Sequence, residues 1–175
     1  MSTAADTERG PRTRLNQKAI AKRSNWLVRH RRGRTVAWSR LHARLYRLTR
    51  GHFLPRWFAG APVMVLETKG RRSGETRRSP VLYLRDGDAL VICPSNAGAD
   101  RTPAWWLNLR EAAEGTVVVG SERTPVRPRV LEGAERQRLW EAFAEMYPQV
   151  EMYTEFTERP FPLVALEPVS TEDGR

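Results

Sequence analysis

The dipeptide Asp86-Gly87, set between two apolar runs, constrains the fold of this chain more than any other feature. TRRSPVLYL at 76–84 precedes it and ALVIC at 89–93 follows it. Asp-Gly supplies the left-handed residues that a tight two-residue turn demands, so the flanking runs are predicted to pair as antiparallel strands. The same pattern returns at TVVV (116–119), Gly120-Ser121 and the run 123–131. Upstream, PVMVLET at 62–68 reads as a buried strand that enters 76–84 through the turn KGRRSGE, and PFPLVALE at 160–167 reads as a last strand. About six strands joined by hairpins and short loops give a mostly antiparallel sheet. That argues against a doubly wound dinucleotide fold and favours a small barrel or curled sheet.

Two helices interrupt the strands. One is predicted at 103–113, with Thr102 as N-cap and Pro103 at the first helical position. The other, at 134–147, turns Leu139, Trp140, Phe143 and Tyr147 inward. Ahead of the body, residues 1–14 read as a disordered polar tail. A basic helix is predicted over 15–30 with Ile20, Trp26 and Leu27, then a basic run at 31–34. A better helix follows at 35–49, with Trp38, Leu41, Leu45 and Leu48 on one face and Arg40, Arg44 and Arg47 opposite. The expected organisation is a basic, partly disordered extension at 1–34, an amphipathic basic helix and linker at 35–60, a body at 61–168 and a tail at 169–175.

The formal charge of +10 is unevenly placed: residues 1–60 carry +13 and the remainder −3. An acidic partner is therefore expected for the first third alone, either an anionic membrane surface or nucleic acid. No helix-turn-helix, finger or RNP signature accompanies the charge, which disfavours nucleic acid. The helix at 35–49 suits either a membrane surface or docking on the body. The single cysteine, Cys93, permits no intrachain disulfide and fits a reducing compartment. With no apolar stretch of spanning length and no secretory h-region, the expected location is the cytoplasm, with peripheral attachment to the inner face of the cell membrane through the basic helix.

Much chemistry is disfavoured. The three histidines, His30, His42 and His52, precede the body and lack metal-ligand spacing. No body histidine exists for a Ser-His-Asp triad, no GxSxG elbow occurs, and the GRRSGE turn lacks a P-loop ending. No metal site is expected. An enzyme of this composition would need a cofactor to carry the reaction.

Four constellations remain. The loop at 68–80 gathers Lys69, Arg71, Arg72, Arg77 and Arg78 around Gly70 and Gly74, which suits phosphate or carboxylate groups. The same spacing reads equally as a hairpin turn with solvated arginines. PSNAGAD leaves a strand for a loop of small residues that a flat ring can approach, or is a plain connection. PAWWLNL puts Trp105, Trp106 and Asn108 within about one turn, so at most one tryptophan faces a given pocket. MYPQVEMY ends a helix and carries Tyr147 and Tyr153, as phenol donors or as packing.

In order and together, APVMVLETKGRRSGETRRSPVLYLRDGD, SNAGADRTPAWWLNL, RPRVLEGAERQRLWEAFAEMYP and FPLVALEP resemble the deazaflavin (coenzyme F420)-dependent nitroreductase and quinone reductase family over about residues 61–168. The resemblance implies a mainly β, split-barrel fold related to FMN-binding barrels. It also implies hydride transfer from reduced deazaflavin to an organic acceptor such as a quinone or a nitroaromatic. By that resemblance Arg71, Arg72, Ser73, Gly74, Glu75, Thr76 and Arg77 hold the cofactor's phosphate and oligoglutamate tail, and Leu66 and Glu67 line its ring or ribityl chain. Cys93, Pro94, Ser95 and Asn96 match the loop beside the ring, and Ala104, Trp105, Trp106, Leu107 and Asn108 the helix closing the site. Ser95, Tyr147 and Tyr153 are the residues expected to act on the acceptor. Two departures bear on function: Val150 replaces a tyrosine of the nitro-reducing relatives, and Glu67 near an anion requires an arginine partner. FMN is the alternative cofactor. A non-catalytic cofactor-binding barrel and a basic peripheral membrane or nucleic-acid binder are the alternative functions.

Overall fold

The apolar run that opens the body forms its best-buried strand: β1, Val63–Lys69, is covered at every position but the last. The computed structural model describes residues 11–30 and 61–169. The other strands are β2 (Thr76–Leu82), β3 (Leu84–Asp86), β4 (Ala89–Ile92), β5 (Gly115–Val119), β6 (Glu122–Val130) and β7 (Val164–Pro168). They form one sheet in the order β2-β1-β5-β6-β7-β4-β3, and every neighbouring pair is antiparallel.

The run 76–84, expected as one strand, is two. It breaks at Tyr83, whose N–H donates to Pro62 O at 3.3 Å. β2 forms one edge of the sheet and β3 the other, so one bent segment carries both edges. The sheet must curl until its edges meet at that bend, which makes it a split barrel and leaves little open edge for a foreign strand. β1 and β4 flank the bent segment and run in the same direction. The loops that follow them, 70–75 and 93–99, therefore leave from one end of the barrel.

Alternation along the strands divides the core. Leu90 and Ile92 of β4 and Val164 and Leu166 of β7 join Met64, Leu66, Trp106 and Leu109 in one cluster. Val91, Cys93, Leu163 and Ala165 join Leu139, Phe143, Tyr147, Val150 and Tyr153 in the other. Strands covered on both faces read as unbroken apolar runs, as ALVIC and LVAL do. Each fully buried large side chain, such as Phe143, contributes about 1.5–3 kcal/mol.

Among the described residues four helices complete the fold, α1 (Pro11–His30), α2 (Ala104–Ala112), α3 (Gly133–Met146) and α4 (Gln149–Thr154), with one 3-10 turn at Asn96–Gly98. α1 begins four residues earlier than expected, because a proline fits a first turn whose N–H groups lack intrahelical partners. In α2, Pro103 takes the cap position instead of Thr102. Its extended ψ of 139° points its carbonyl into the helix, to the amides of Trp106 and Leu107. Trp140 is half-buried, with the Arg136 guanidinium 5.6 Å from its ring centroid. α4 was not anticipated: Pro148 ends α3 beyond Tyr147 and starts a new turn. β7 starts at Val164, later than the 160 expected, because Pro160 and Pro162 have no N–H to give a ladder; the Leu131 amide still donates to Leu163 O in the β6–β7 register at 2.9 Å. The helix expected at 35–49, the basic run at 31–34 and residues 1–10 lie outside the described residues.

Candidate active site

The turn after β1 is closed by three backbone bonds: Gly70 N–H to Glu75 O at 2.8 Å, and Ser73 and Gly74 N–H to Gly70 O at 3.1 and 2.7 Å. Gly74 sits at φ +69°, where a side chain is strained. Beside this turn lies an open pocket of about 260 Å³ lined by Lys69, Gly70, Arg71, Arg72, Gly74 and, from α2, Asn108, Glu111 and Ala112. Asn108 is buried, and its Oδ1 accepts from the Arg71 backbone N–H and Arg71 Nη1, both at 3.3 Å. α2 thereby fixes the direction of one arginine. Lys69, Arg71 and Arg72 against Glu111 leave the lining cationic, suited to a multiply charged anion.

The other two basic residues of the loop are already paired. Arg77 Nη2 reaches Glu75 at 2.9 Å and Ser73 Oγ at 3.1 Å. Arg78 Nε donates to Glu67 Oε1 at 2.8 Å, and Arg123 Nη2 to Glu67 Oε2 at 2.7 Å. Register explains this triad. Arg78 lies directly across from Glu67. Pro125 is level with Glu67 through Thr116, so Arg123, two residues before Pro125, shares its face within reach of a long side chain. Burial pushes the Glu67 carboxyl up, but the hydrogen bonds and charges of Arg123 and Arg78 outweigh it and hold the carboxyl below its ordinary range. The arginine partner that Glu67 requires is thus present twice over.

The loop after β4 has a different construction. Asn96 and Ala97 take left-handed conformations at φ 51° and 53°, followed by Gly98 at φ 72°. A Cβ on Gly98 would stand 2.7 Å from Tyr153 O, so only glycine lets α4 approach the loop. Arg159 fixes the loop from below through Pro94 O, Ser95 O and Ala99 O. α1 covers it from the other side: Asn25 Nδ2 donates to Ala97 O at 2.8 Å, and Arg29 reaches Asp100 at 3.1 Å and Phe156 O at 2.9 Å.

Beneath α1, the Tyr147 and Tyr153 hydroxyls are 2.9 Å apart and both rings are buried. Burial raises both phenol pKa values; for Tyr153, bonds to Tyr147 and to Ser24 of α1 oppose the rise. Each phenol therefore stays protonated, a hydrogen-bond donor at neutral pH. Burial also pushes the Cys93 thiol up to about 12, so it is no nucleophile.

Residues 38–168 match the F420H(2)-dependent quinone reductase family. The chain belongs to that family. It is 34% identical over 151 residues to an F420H(2)-dependent quinone reductase of Mycobacterium tuberculosis (strain ATCC 25618 / H37Rv), a match covering 82% of this chain and 96% of the relative. Among solved structures it is similar to an F420-H2 dependent reductase, FDR-A (TM-score 0.56, 28% identity, 61% of this chain and 94% of that one). It is also similar to a structure described as a domain-swapped dimer (TM-score 0.59, 28% identity, 76% of this chain and 99% of that one). The split barrel expected from the sequence is the fold of this quinone reductase family.

Coenzyme F420 is the family's cofactor, and the donor set of this chain fits its anionic end. Three cations, Lys69, Arg72 and the Asn108-anchored Arg71, converge where two glycines keep the turn narrow. In this quinone reductase fold the expected site residues form two groups. Arg71, Arg72 and Gly74 gather with Asn108, while Ser73, Glu75, Thr76 and Arg77 build the exposed rim of the turn. Cys93, Tyr147 and Tyr153 share one cluster, next to Pro94, Ser95 and Asn96. Leu66 and Trp106 are buried in the barrel core, Trp105 and Leu107 are half-buried, and Ala104 is exposed; none of the five lines the basic pocket. Sequence reasoning missed Arg123, Arg159 and the α1 residues Ser24, Asn25 and Arg29. Arg123 is visible once the β5–β6 register is known. Arg159 and the α1 residues carry no local signal. Among the described residues no cluster of metal-ligating side chains occurs, and no helix is long and apolar enough to cross a membrane.

Proposed function

We propose that this chain transfers a hydride from reduced F420 to a quinone. The observation that carries the reading is the cationic pocket at the β1–β2 turn, on the same barrel end as the strained loop 93–99. Lys69, Arg71 and Arg72 bind the cofactor's anionic tail, and Asn108 orients Arg71 for it. Residues 93–96 would line the deazaflavin ring, and Leu66 and Glu67 would back its ribityl side. Bound there, F420H2 supplies the hydride. Ser95 and the phenols of Tyr147 and Tyr153 donate hydrogen bonds to the acceptor oxygen. α1 excludes water above them, and an acceptor reaching a phenol displaces the Ser24 contact.

The acceptor is drawn from an anionic membrane surface. In support, Ile20 and Trp26 stand 46% and 49% exposed on the outer side of α1, among the exposed Lys22 and Arg23. Nitroaromatics are secondary acceptors, since Val150 is buried where nitro-reducing relatives carry a phenol.

Fluorescence titration of the full chain with F420 and FMN, followed by turnover of F420H2 with menadione and with a nitroimidazole, tests the reading. F420 binding with menadione turnover is expected; failure to bind F420 refutes it. Flotation with anionic but not zwitterionic vesicles is the expected membrane result, and equal flotation with both removes that part.

A further inference from the structure

Arg159 does work that neither the pocket nor the phenols account for. It follows β6 and α4 in sequence, yet its guanidinium serves the loop after β4. Nη2 donates to Ser95 O at 2.6 Å and Ala99 O at 3.3 Å, Nη1 to Pro94 O at 3.1 Å, and Nε to Ala99 O at 3.3 Å. Its plane lies over the Phe161 ring, 4.9 Å from the centroid. Among the described residues no carboxylate forms an ion pair with it, and Asp100 is paired with Arg29. Arginine is the side chain for this task, because a planar fork reaches several carbonyls at once where an ammonium is a single point.

What the fork holds is costly to hold. Asn96 and Ala97 are side-chain-bearing residues at positive φ, a conformation unfavourable above all for the alanine, and such backbone persists only where the surroundings over-determine it. Asn25 on Ala97 O, Asn96 Nδ2 on Arg101 O at 2.7 Å and the Arg159 fork supply that determination. A connection needing only to link β4 with α2 has no reason to be strained and then clamped. A loop that must present a fixed surface to a flat ring does.

We propose that Arg159 is a positioning residue: by clamping the carbonyls of Pro94, Ser95 and Ala99 it presets the loop conformation against which the deazaflavin ring is seated for hydride transfer. The proposal rests on the reading that residues 93–96 lie along the ring. Tail binding is handled by a separate pocket to which Arg159 contributes nothing. Loss of the clamp therefore spares affinity more than it spares rate.

The test compares the full-length wild type with Arg159→Lys and Arg159→Gln. It measures the F420 dissociation constant, menadione kcat and KM, the fluorescence spectrum of bound F420, and thermal unfolding. The expected result is a kcat lower by about 10- to 100-fold, as for a small misplacement of a reacting group, with the F420 dissociation constant within about threefold and a changed bound-cofactor spectrum. Wild-type kcat and spectrum in either folded variant overturn the proposal, as does weaker binding with kcat unchanged at saturation. Hydrogen exchange on the cofactor-free wild type needs no variant: the Ser95, Gly98 and Ala99 amides are expected to be protected, and free exchange there overturns presetting. Wild type that fails to bind F420 refutes the cofactor reading itself, and this proposal with it. Wild type that binds and turns over beside indifferent variants refutes this proposal alone.

Discussion

Tyr147 and Tyr153 hold each other hydroxyl to hydroxyl at 2.9 Å, and the arrangement is not symmetric. Tyr153 also bonds Ser24 of α1, so it ties the N-terminal helix to the barrel, whereas among the described residues Tyr147 bonds only Tyr153. Tyr153→Phe removes two contacts and leaves buried polar partners; Tyr147→Phe removes one. Urea unfolding is expected to show a loss of about 2 kcal/mol for the first and about 1 kcal/mol for the second. The double variant should lose less than the sum, and strict additivity would show that the pair does not interact.

Cys93 offers a reporter on the same cluster. Its thiol is buried and its pKa is raised to about 12 by burial. At pH 8 the folded chain is expected to resist a thiol-specific disulfide reagent and to react fully in denaturant. Rapid labelling of the native chain would mean that the α1–α4 roof opens readily.

The sequence carried the sheet further than the site. Asp86-Gly87 and Gly120-Ser121 announce their turns because left-handed positions need particular residues, and Gly87 and Gly120 do sit at φ 59° and 62°. The break at Tyr83 carries no such mark, since the demand to bend there comes from closing the sheet. The basic loop after β1 was legible as a local cluster of glycines and arginines. Which arginines are free for a ligand was not: Arg78 is committed to Glu67 by cross-strand register. Arg159 meets its partners about 60 residues away in sequence, and α1 docks through the small residues Ala21, Ser24 and Asn25 rather than an apolar stripe. Contacts of that separation leave no periodicity to read.

The Glu67 triad makes a pH-dependent contribution with a definite sign. Its folded pKa lies below the ordinary 4.5, so the unfolded chain binds the proton first as pH falls. The triad's stabilisation is present above about pH 4.5 and is lost as pH drops through the lower, folded value. Glu67→Gln should therefore cost about 1–2 kcal/mol at pH 7, discounted for the half-exposed arginines. The gap to wild type should close in acid. A gap independent of pH would mean that the carboxylate charge contributes nothing.

Gly98→Ala tests the close approach of loop and α4. The substitution places a Cβ 2.7 Å from Tyr153 O at a residue with φ 72°, so both sterics and backbone oppose it. A loss of about 2 kcal/mol or more in thermal or urea unfolding is expected. Gly74→Ala, equally left-handed at φ 69° but with nothing within 4 Å, should lose only about 1 kcal/mol. Equal losses would show that the packing against Tyr153 is slack.

The proposed role of the basic pocket is binding alone, apart from the chemistry. Arg71 and Arg72 line it from the exposed side of the turn, away from the clustered phenols. Arg71→Ala and Arg72→Ala should each weaken F420 binding about tenfold, as expected for loss of one charge-assisted contact to an anion. At saturating cofactor kcat should stay within about twofold, because binding common to ground and transition states does not alter the chemical step. Raising salt should weaken wild-type binding more than binding by the double variant, since exposed charges are screened within about 8–10 Å. Asn108→Ala should reproduce part of the Arg71→Ala effect by releasing that guanidinium, without adding to it in the double variant. Full additivity of those two would mean that Asn108 contacts the ligand itself instead of aiming the arginine.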